Sequence, residues 1–210
     1  IKAFSMNKIT TYLFDLGGVI INVDYHKTIS EFSELGVRNA HELYNQFNQS
    51  GLFDKYEKGE HSSDYFIEQL KTKTKKGVTK NQIISAWNTM IGEFPIEKLD
   101  FVAGLSSQKP CYLLSNTNEI HLEKVMENLN KTPYDRLDSL FKKCYYSHLI
   151  GKRKPDVETF KWVLNQMGVT AEETLFIDDS PQHIEGAKSA GLQTVFYQKK
   201  EDLLMLKDRI

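Results

Sequence analysis

Short apolar runs separated by helical periodicity constrain this chain most. Tyr12-Leu13-Phe14 stops at Asp15 and is followed by Gly17-Gly18. Cys111-Tyr112-Leu113-Leu114 runs into Ser115-Asn116, Leu175-Phe176-Ile177 into Asp178-Asp179, and Thr194-Val195-Phe196-Tyr197 closes the series. Cys144-Tyr145-Tyr146 is a fifth run. Runs this short, apolar throughout and closed by glycine or polar residues, read as strands buried on both faces. Helical stripes lie between them: Ile120, Leu122, Val125, Met126 and Leu129; Val157, Phe160, Val163, Leu164 and Met167 up to Gly168; Ile184 and Ala187 after Pro181, up to Gly191. Pro155 is expected in the first turn of the second stripe. Strand alternating with helix predicts an α/β fold, a three-layer doubly wound parallel sheet.

Residues 23–94 break this alternation. Ile29, Phe32 and Leu35 suggest one helix, Leu43 and Phe47 another, and Tyr65, Phe66 and Leu70 a third. Thr79 and Gln82 have the spacing of a capping box, opening a fourth helix with Ile83, Ile84, Trp87 and Ile91. The expectation is an inserted helical subdomain over 23–94, with the sheet-bearing core over 1–22 and 95–210. Trp87 and Trp162 fall on apolar stripes and read as core.

The charge balance limits the partners. Twenty-seven Lys and Arg against 28 Asp and Glu leave a formal net charge of -1. Gripping nucleic acid or an anionic membrane calls for a cationic surplus, so neither is expected as a partner. No apolar run approaches the roughly 20 residues that span a bilayer. No secretory leader is visible ahead of Met6, so the cytoplasm is the expected location and Cys111 and Cys144 are expected to be reduced and buried. No heptad pattern indicates an oligomeric state.

Ligands of open parallel sheets bind beyond the carboxyl ends of the strands. That rule selects Asp15, Ser115-Asn116 and Asp178-Asp179. Adjacent carboxylates repel unless a cation relieves them, and a hard divalent ion such as Mg2+ suits oxygen ligands. Lys154, in Gly151-Lys152-Arg153-Lys154-Pro155-Asp156, brings positive charge. Ser115 and Asn116 bring a hydroxyl and amides ahead of a helix starting near Asn118, a position suited to anions. A nucleophilic carboxylate, a metal site, a lysine and an anion site together describe phosphoryl transfer.

Taken in order, Phe14-Asp15-Leu16-Gly17-Gly18-Val19-Ile20, Leu114-Ser115-Asn116-Thr117, Lys152-Arg153-Lys154-Pro155-Asp156 and Phe176-Ile177-Asp178-Asp179-Ser180 with Glu185-Gly186-Ala187 resemble the four motifs of the haloacid dehalogenase-like hydrolase superfamily. The helical insertion resembles its cap, and Asp-Leu-Gly at the first motif resembles the glucose-1-phosphate phosphatase-like branch. The resemblance implies an Mg2+-dependent phosphatase acting on a small phosphate monoester, a sugar phosphate foremost. Asp15 would attack phosphorus and form an aspartyl-phosphate. Ser115, Asn116 and Lys154 would bind phosphate. Asp15, the Gly17 carbonyl and Asp178 or Asp179 would hold the metal.

One position departs from that pattern. Gly17 stands where most phosphatases of the superfamily carry a second aspartate as general acid and base, a role worth roughly 10²–10⁴ in rate. Three outcomes follow. A substrate with an acidic leaving group, such as a sugar 1-phosphate, needs little help, or Asp24 or His26 substitutes. Alternatively, the chain is a metal-free 2-haloacid dehalogenase using Asp15 on carbon, or a weakly active binding relative. His183 is expected near the mouth of the site or as a surface residue, and Tyr25, His26, Phe47, Phe53 and Tyr56 are candidate pocket residues. His61, His121 and His148 belong to no recognisable constellation.

Overall fold

The computed structural model describes residues 9–43 and 51–198. Five parallel strands form one sheet in the order β3-β2-β1-β4-β5: β1 Thr11–Phe14, β2 Cys111–Ser115, β3 Lys143–Tyr146, β4 Thr174–Asp178 and β5 Gln193–Phe196. All five expected runs are strands, but only β1, β2 and β4 are buried throughout; β3 and β5, at the edges of the sheet, are partly exposed. The register pairs Phe14 with Leu113 on one side and with Ile177 on the other. The ends of β1, β2 and β4 therefore lie side by side.

Alternation along each strand divides the core. Tyr12, Phe14, Leu113, Leu175 and Ile177 face one layer, where they meet Leu99 and Val102 of α6 (Ile96–Ser106) and Val125 and Leu129 of α7 (Glu119–Leu129). Leu13, Tyr112, Leu114 and Phe176 face the other, against Phe160 and Val163 of α9 (Val157–Met167) and Ile184 and Ala187 of α10 (Pro181–Ser189). Gly168 ends α9 in the left-handed conformation at φ 68°. Pro155 lies ahead of α9 instead of inside its first turn, because the helix starts only at Val157 after Asp156. The one-turn helix α8 (Ser147–Ile150) follows β3. Cys111 is buried, Cys144 half-buried, and both are free thiols.

Between β1 and α6 the chain forms α1 (Tyr25–Glu34), α2 (Ala40–Leu43), α3 (Gly51–Glu57), α4 (Ser63–Lys71) and α5 (Lys80–Asn88). Asp24 caps α1 by accepting from the His26 amide, and the capping box of Thr79 and Gln82 opens α5. These helices enclose a core of their own, centred on Phe32, Phe53, Phe66 and Trp87. Phe53 meets Phe66 edge-on at 5.4 Å, and Tyr56 stacks on Phe66 at 4.2 Å. Phe47 lies outside the described residues. The insertion leaves and rejoins the core through paired segments. The Asn22 amide donates to the Glu93 carbonyl, that of Gly92 to Asn22, and that of Asp24 to Met90. Among the described residues, no helix is long and apolar enough to cross a membrane.

Candidate active site

Asp15 follows β1 directly, and its amide donates to the Ile177 carbonyl of β4, so backbone pairing sets its position. Its carboxylate lies 2.7 Å from Lys154 Nζ. The same ammonium lies 2.7 Å from Asp178 Oδ2, and Lys154 is fully buried. A buried lysine without partners is costly; two carboxylates and the face of Phe176, 5.4 Å away, surround this one. Burial would lower the Lys154 pKa, but Asp15 and Asp178 outweigh it and hold the ammonium above its ordinary value. Burial pushes the Asp15 carboxyl up; Lys154 pulls against it and Asp178 adds to it. For Asp178, Lys154 and His183 overcome burial and keep the carboxyl below the usual range.

Asp178 is saturated. It accepts from Lys154 Nζ at 2.7 Å, from the Ser180 amide at 2.8 Å, and faces His183 Nδ1 at 2.9 Å. Asp179 differs. It is half-buried and lines the same cavity as Asp15, Gly17, Ser115 and Asn116. Gly18, at φ +77°, makes this possible: a Cβ there would fall 2.0 Å from Asp179 Oδ2. Asp15, Asp178 and His183 each place a potential ligand atom within 4.8 Å of the others. The oxygens of Asp178 are already engaged, however, and His183 Nδ1 is directed at them.

Ser115 ends β2 and also lines the cavity. The Asn116 side chain is not directed at an anion. Its Nδ2 donates to the Lys154 carbonyl at 2.8 Å and its Oδ1 accepts from the Lys154 amide at 2.9 Å, tying the loop after β2 to the loop that carries the lysine. Beyond it, α7 starts where expected, and Asn118 caps it by accepting from the His121 amide.

The insertion supplies the opposite wall: Tyr25 of α1, Glu57 of α3, and Met90 and Ile91 after α5. The cavity is partly open to solvent and has a volume of about 70 Å³. Of the candidate pocket residues, Tyr25 lines it, whereas Phe53 and Tyr56 fill the insertion's own core. His26 is exposed, and Asp24, also exposed, caps α1. Neither lines the cavity. His183 does line it.

Glu57 and His121 also line the cavity without having been singled out from the sequence. Glu57 sits on α3, a seven-residue helix whose apolar positions gave no register, and it pairs with Arg153 at 2.9 Å. His121 fell on an apolar helix face. Its ring stacks on Trp87 at 4.3 Å and Nε2 donates to the Trp87 carbonyl at 3.0 Å, which leaves Nδ1 to accept from Asn118. Burial lowers its pKa to about 4, so the ring is neutral near pH 7.

This arrangement of an aspartate after β1, a polar residue at the end of β2, a lysine before α9 and an acidic pair at the end of β4 coincides with a family match over residues 9–191. The chain belongs to the haloacid dehalogenase-like hydrolases. It is 32% identical over 186 residues to a D-ribitol-5-phosphate phosphatase of Bacteroides thetaiotaomicron, covering 89% of this chain and 90% of that one. A haloacid dehalogenase family enzyme of B. thetaiotaomicron, solved as an aspartate-to-alanine variant with magnesium and inorganic phosphate, superimposes with a TM-score of 0.90. It is 34% identical, covering 95% of this chain and 98% of that one. A family hydrolase of Porphyromonas gingivalis gives a TM-score of 0.83 at 32% identity, over 96% and 97% of the two chains. A solved dehalogenase, at 18% identity and a TM-score of 0.60, shares the fold.

Proposed function

We propose that this hydrolase cleaves a small polyhydroxylated phosphate monoester, a sugar or alditol phosphate, with Asp15 as nucleophile. The observation that carries the reading is Asp15 itself: a carboxylate anchored by a buried lysine at 2.7 Å, lining a partly open cavity shared with Ser115 and Asp179. An Asp15 oxygen bonds to phosphorus as the bond from phosphorus to the substrate oxygen breaks, and that oxygen leaves with its electron pair and takes a proton from water; a water molecule then cleaves the aspartyl-phosphate, releasing inorganic phosphate and regenerating Asp15. Lys154 holds the nucleophile in place and neutralises charge on the phosphoryl group, while the Ser115 hydroxyl binds a phosphoryl oxygen. The helical insertion over 23–94 acts as the cap that excludes water from the reacting centre.

The residues present fit a divalent cation. Asp15 and Asp178 face one buried ammonium, and Asp179 lines the same cavity as Asp15, its carboxylate lying against Gly18, which has no side chain to displace it. Hard oxygen donors of this kind suit Mg2+, and a related enzyme was solved with magnesium and inorganic phosphate. Asp15, the Gly17 carbonyl and Asp179 would hold it; Asp178, saturated by Lys154, Ser180 and His183, anchors the lysine instead. Bound there, Mg2+ supplies positive charge to the phosphoryl oxygens. The name of the D-ribitol-5-phosphate phosphatase supports an alditol or sugar phosphate as substrate.

The test is phosphate release from ribitol 5-phosphate and ribose 5-phosphate with Mg2+, repeated with chelator and with Asp15→Asn. Release that requires both the metal and Asp15 supports the reading. Halide release from a 2-haloacid that survives chelation, without phosphate release, overturns it in favour of a dehalogenase.

A further inference from the structure

Attack by Asp15 leaves negative charge on the departing oxygen. In-line displacement places that oxygen on the side of phosphorus away from the nucleophile, and the wall across the cavity from Asp15 is the insertion. An alkoxide leaving a sugar or alditol phosphate is strongly basic, so a hydrogen-bond donor at this point raises the rate. Gly17 lines the cavity beside the nucleophile but has no side chain to provide one.

The insertion contributes Val23, Tyr25, Glu57, Met90 and Ile91 to the cavity among the described residues. Of these, Tyr25 brings a side-chain donor, whereas Glu57, paired with Arg153 at 2.9 Å, brings acceptors. The other polar side chains of the cavity are turned elsewhere. The Arg153 guanidinium meets Asp54 as well as Glu57, both ring nitrogens of His121 are engaged, and His183 directs Nδ1 at Asp178 on the core side. Tyr25 is also held firmly. It opens α1 directly after Asp24, whose amide donates to the Met90 carbonyl at 2.9 Å and whose carboxylate caps the helix. Within the same turn, the buried Thr28 hydroxyl donates to the Ala86 carbonyl at 2.9 Å, tying α1 to α5. Burial, and then the carboxylates of Asp179, Asp15 and Glu57, push the Tyr25 phenol well above its ordinary value, so it keeps its proton.

We infer that Tyr25 is a further catalytic residue, whose phenol donates a hydrogen bond to the departing substrate oxygen. The inference rests on the phosphatase reading above and adds the group that stabilises the leaving alkoxide. As the bond from phosphorus to the substrate oxygen breaks, its electron pair goes to that oxygen, which accepts the Tyr25 hydroxyl. The phenol is not deprotonated; the proton that completes the alcohol comes from water. A donor fixed in advance on a capped helix needs no rearrangement when the charge appears.

The test compares kcat/KM of the wild type and Tyr25→Phe, with Mg2+ present, on three monoesters whose leaving oxygens are increasingly basic: 4-nitrophenyl phosphate, phenyl phosphate and ribitol 5-phosphate. Tyr25→Phe is expected to lower the ribitol 5-phosphate value by about 100-fold, the phenyl phosphate value by about tenfold and the 4-nitrophenyl phosphate value by less than about threefold. Ratios among the three do not depend on how much of the variant is folded, so a partly misfolded preparation still gives the answer. An equal loss on all three, or no loss, overturns the inference and leaves the phosphatase reading intact. A loss confined to ribitol 5-phosphate, with the two aryl esters alike, also overturns it, because Tyr25 then holds a hydroxyl of the substrate body instead. A wild type that releases phosphate from none of the three overturns both.

Discussion

The sheet-bearing core and the helical insertion meet at one cavity but are held by different physics. The core positions its site through backbone pairing and a buried ionic network: β1, β2 and β4 end together, and Lys154 bridges Asp15 and Asp178 with no exposed surface. The insertion is held by aromatic packing around Trp87 and meets the core through side chains, among them Arg153 with Glu57, Ser63 with Glu119, and Trp87 with His121. A backbone-anchored network tolerates no change of charge at its centre. An aromatic, side-chain-mediated contact can loosen gradually, which suits a wall that must admit a substrate.

Substitutions in the core should therefore act on chemistry, and those in the insertion on closure. Asp15→Asn should abolish turnover, by about 10⁴-fold or more, with an unchanged circular dichroism spectrum; residual activity above a few per cent would mean that another group attacks. Lys154→Met leaves Asp15 and Asp178 facing each other with no counter-ion, and should cost about 3–5 kcal/mol in denaturant unfolding as well as activity. Trp87→Ala removes the largest side chain of the insertion core and should cost a similar 3–5 kcal/mol. Its kinetic signature should be a raised KM with phenyl phosphate turnover comparatively spared, the reverse of Asp15→Asn.

The interface between the two regions should be sensitive to acid. The pKa of His121 is about 4 in the folded protein against 6.5 for the free side chain, so between these values the unfolded chain binds the additional proton. Stability from the neutral ring is fully present above pH 6.5 and falls as pH drops toward 4, by up to about 3 kcal/mol. A His121→Gln variant should show a flatter profile than the wild type over that window in paired denaturant titrations. The smallest expected effect is at Gly18→Ala, where φ +77° and the contact with Asp179 should cost about 1–3 kcal/mol. Its more informative readout is weaker Mg2+ activation; unchanged activation would remove Asp179 from the metal site.

Much of the core was legible because its signals are local. Apolar runs ending in Asp15, Ser115 and Asp178 mark buried strands whose ends must be polar. The capping box at Thr79 and Gln82 and the stop at Gly168 are likewise written within a few residues. The insertion was legible as helical but not as a wall. Of its aromatic candidates, Phe53 and Tyr56 turned inward and Tyr25 faced the cavity, a difference of helix orientation that composition does not record.

By itself, then, the sequence determined which segments form strands, where β1, β2 and β4 stop, and which polar residues stand at those stops. Only the tertiary structure decided how the charges are shared. Lys154 and Arg153 are neighbours in a basic run, yet one is enclosed between Asp15 and Asp178 and the other reaches across to Asp54 and Glu57, about a hundred residues away. Likewise Asp178 and Asp179 are adjacent and chemically alike, and the alternation of side chains at the end of β4 sends one into the buried network and the other into the cavity. Charge pairing depends on distance through space, and that distance exists only once the insertion has docked on the sheet.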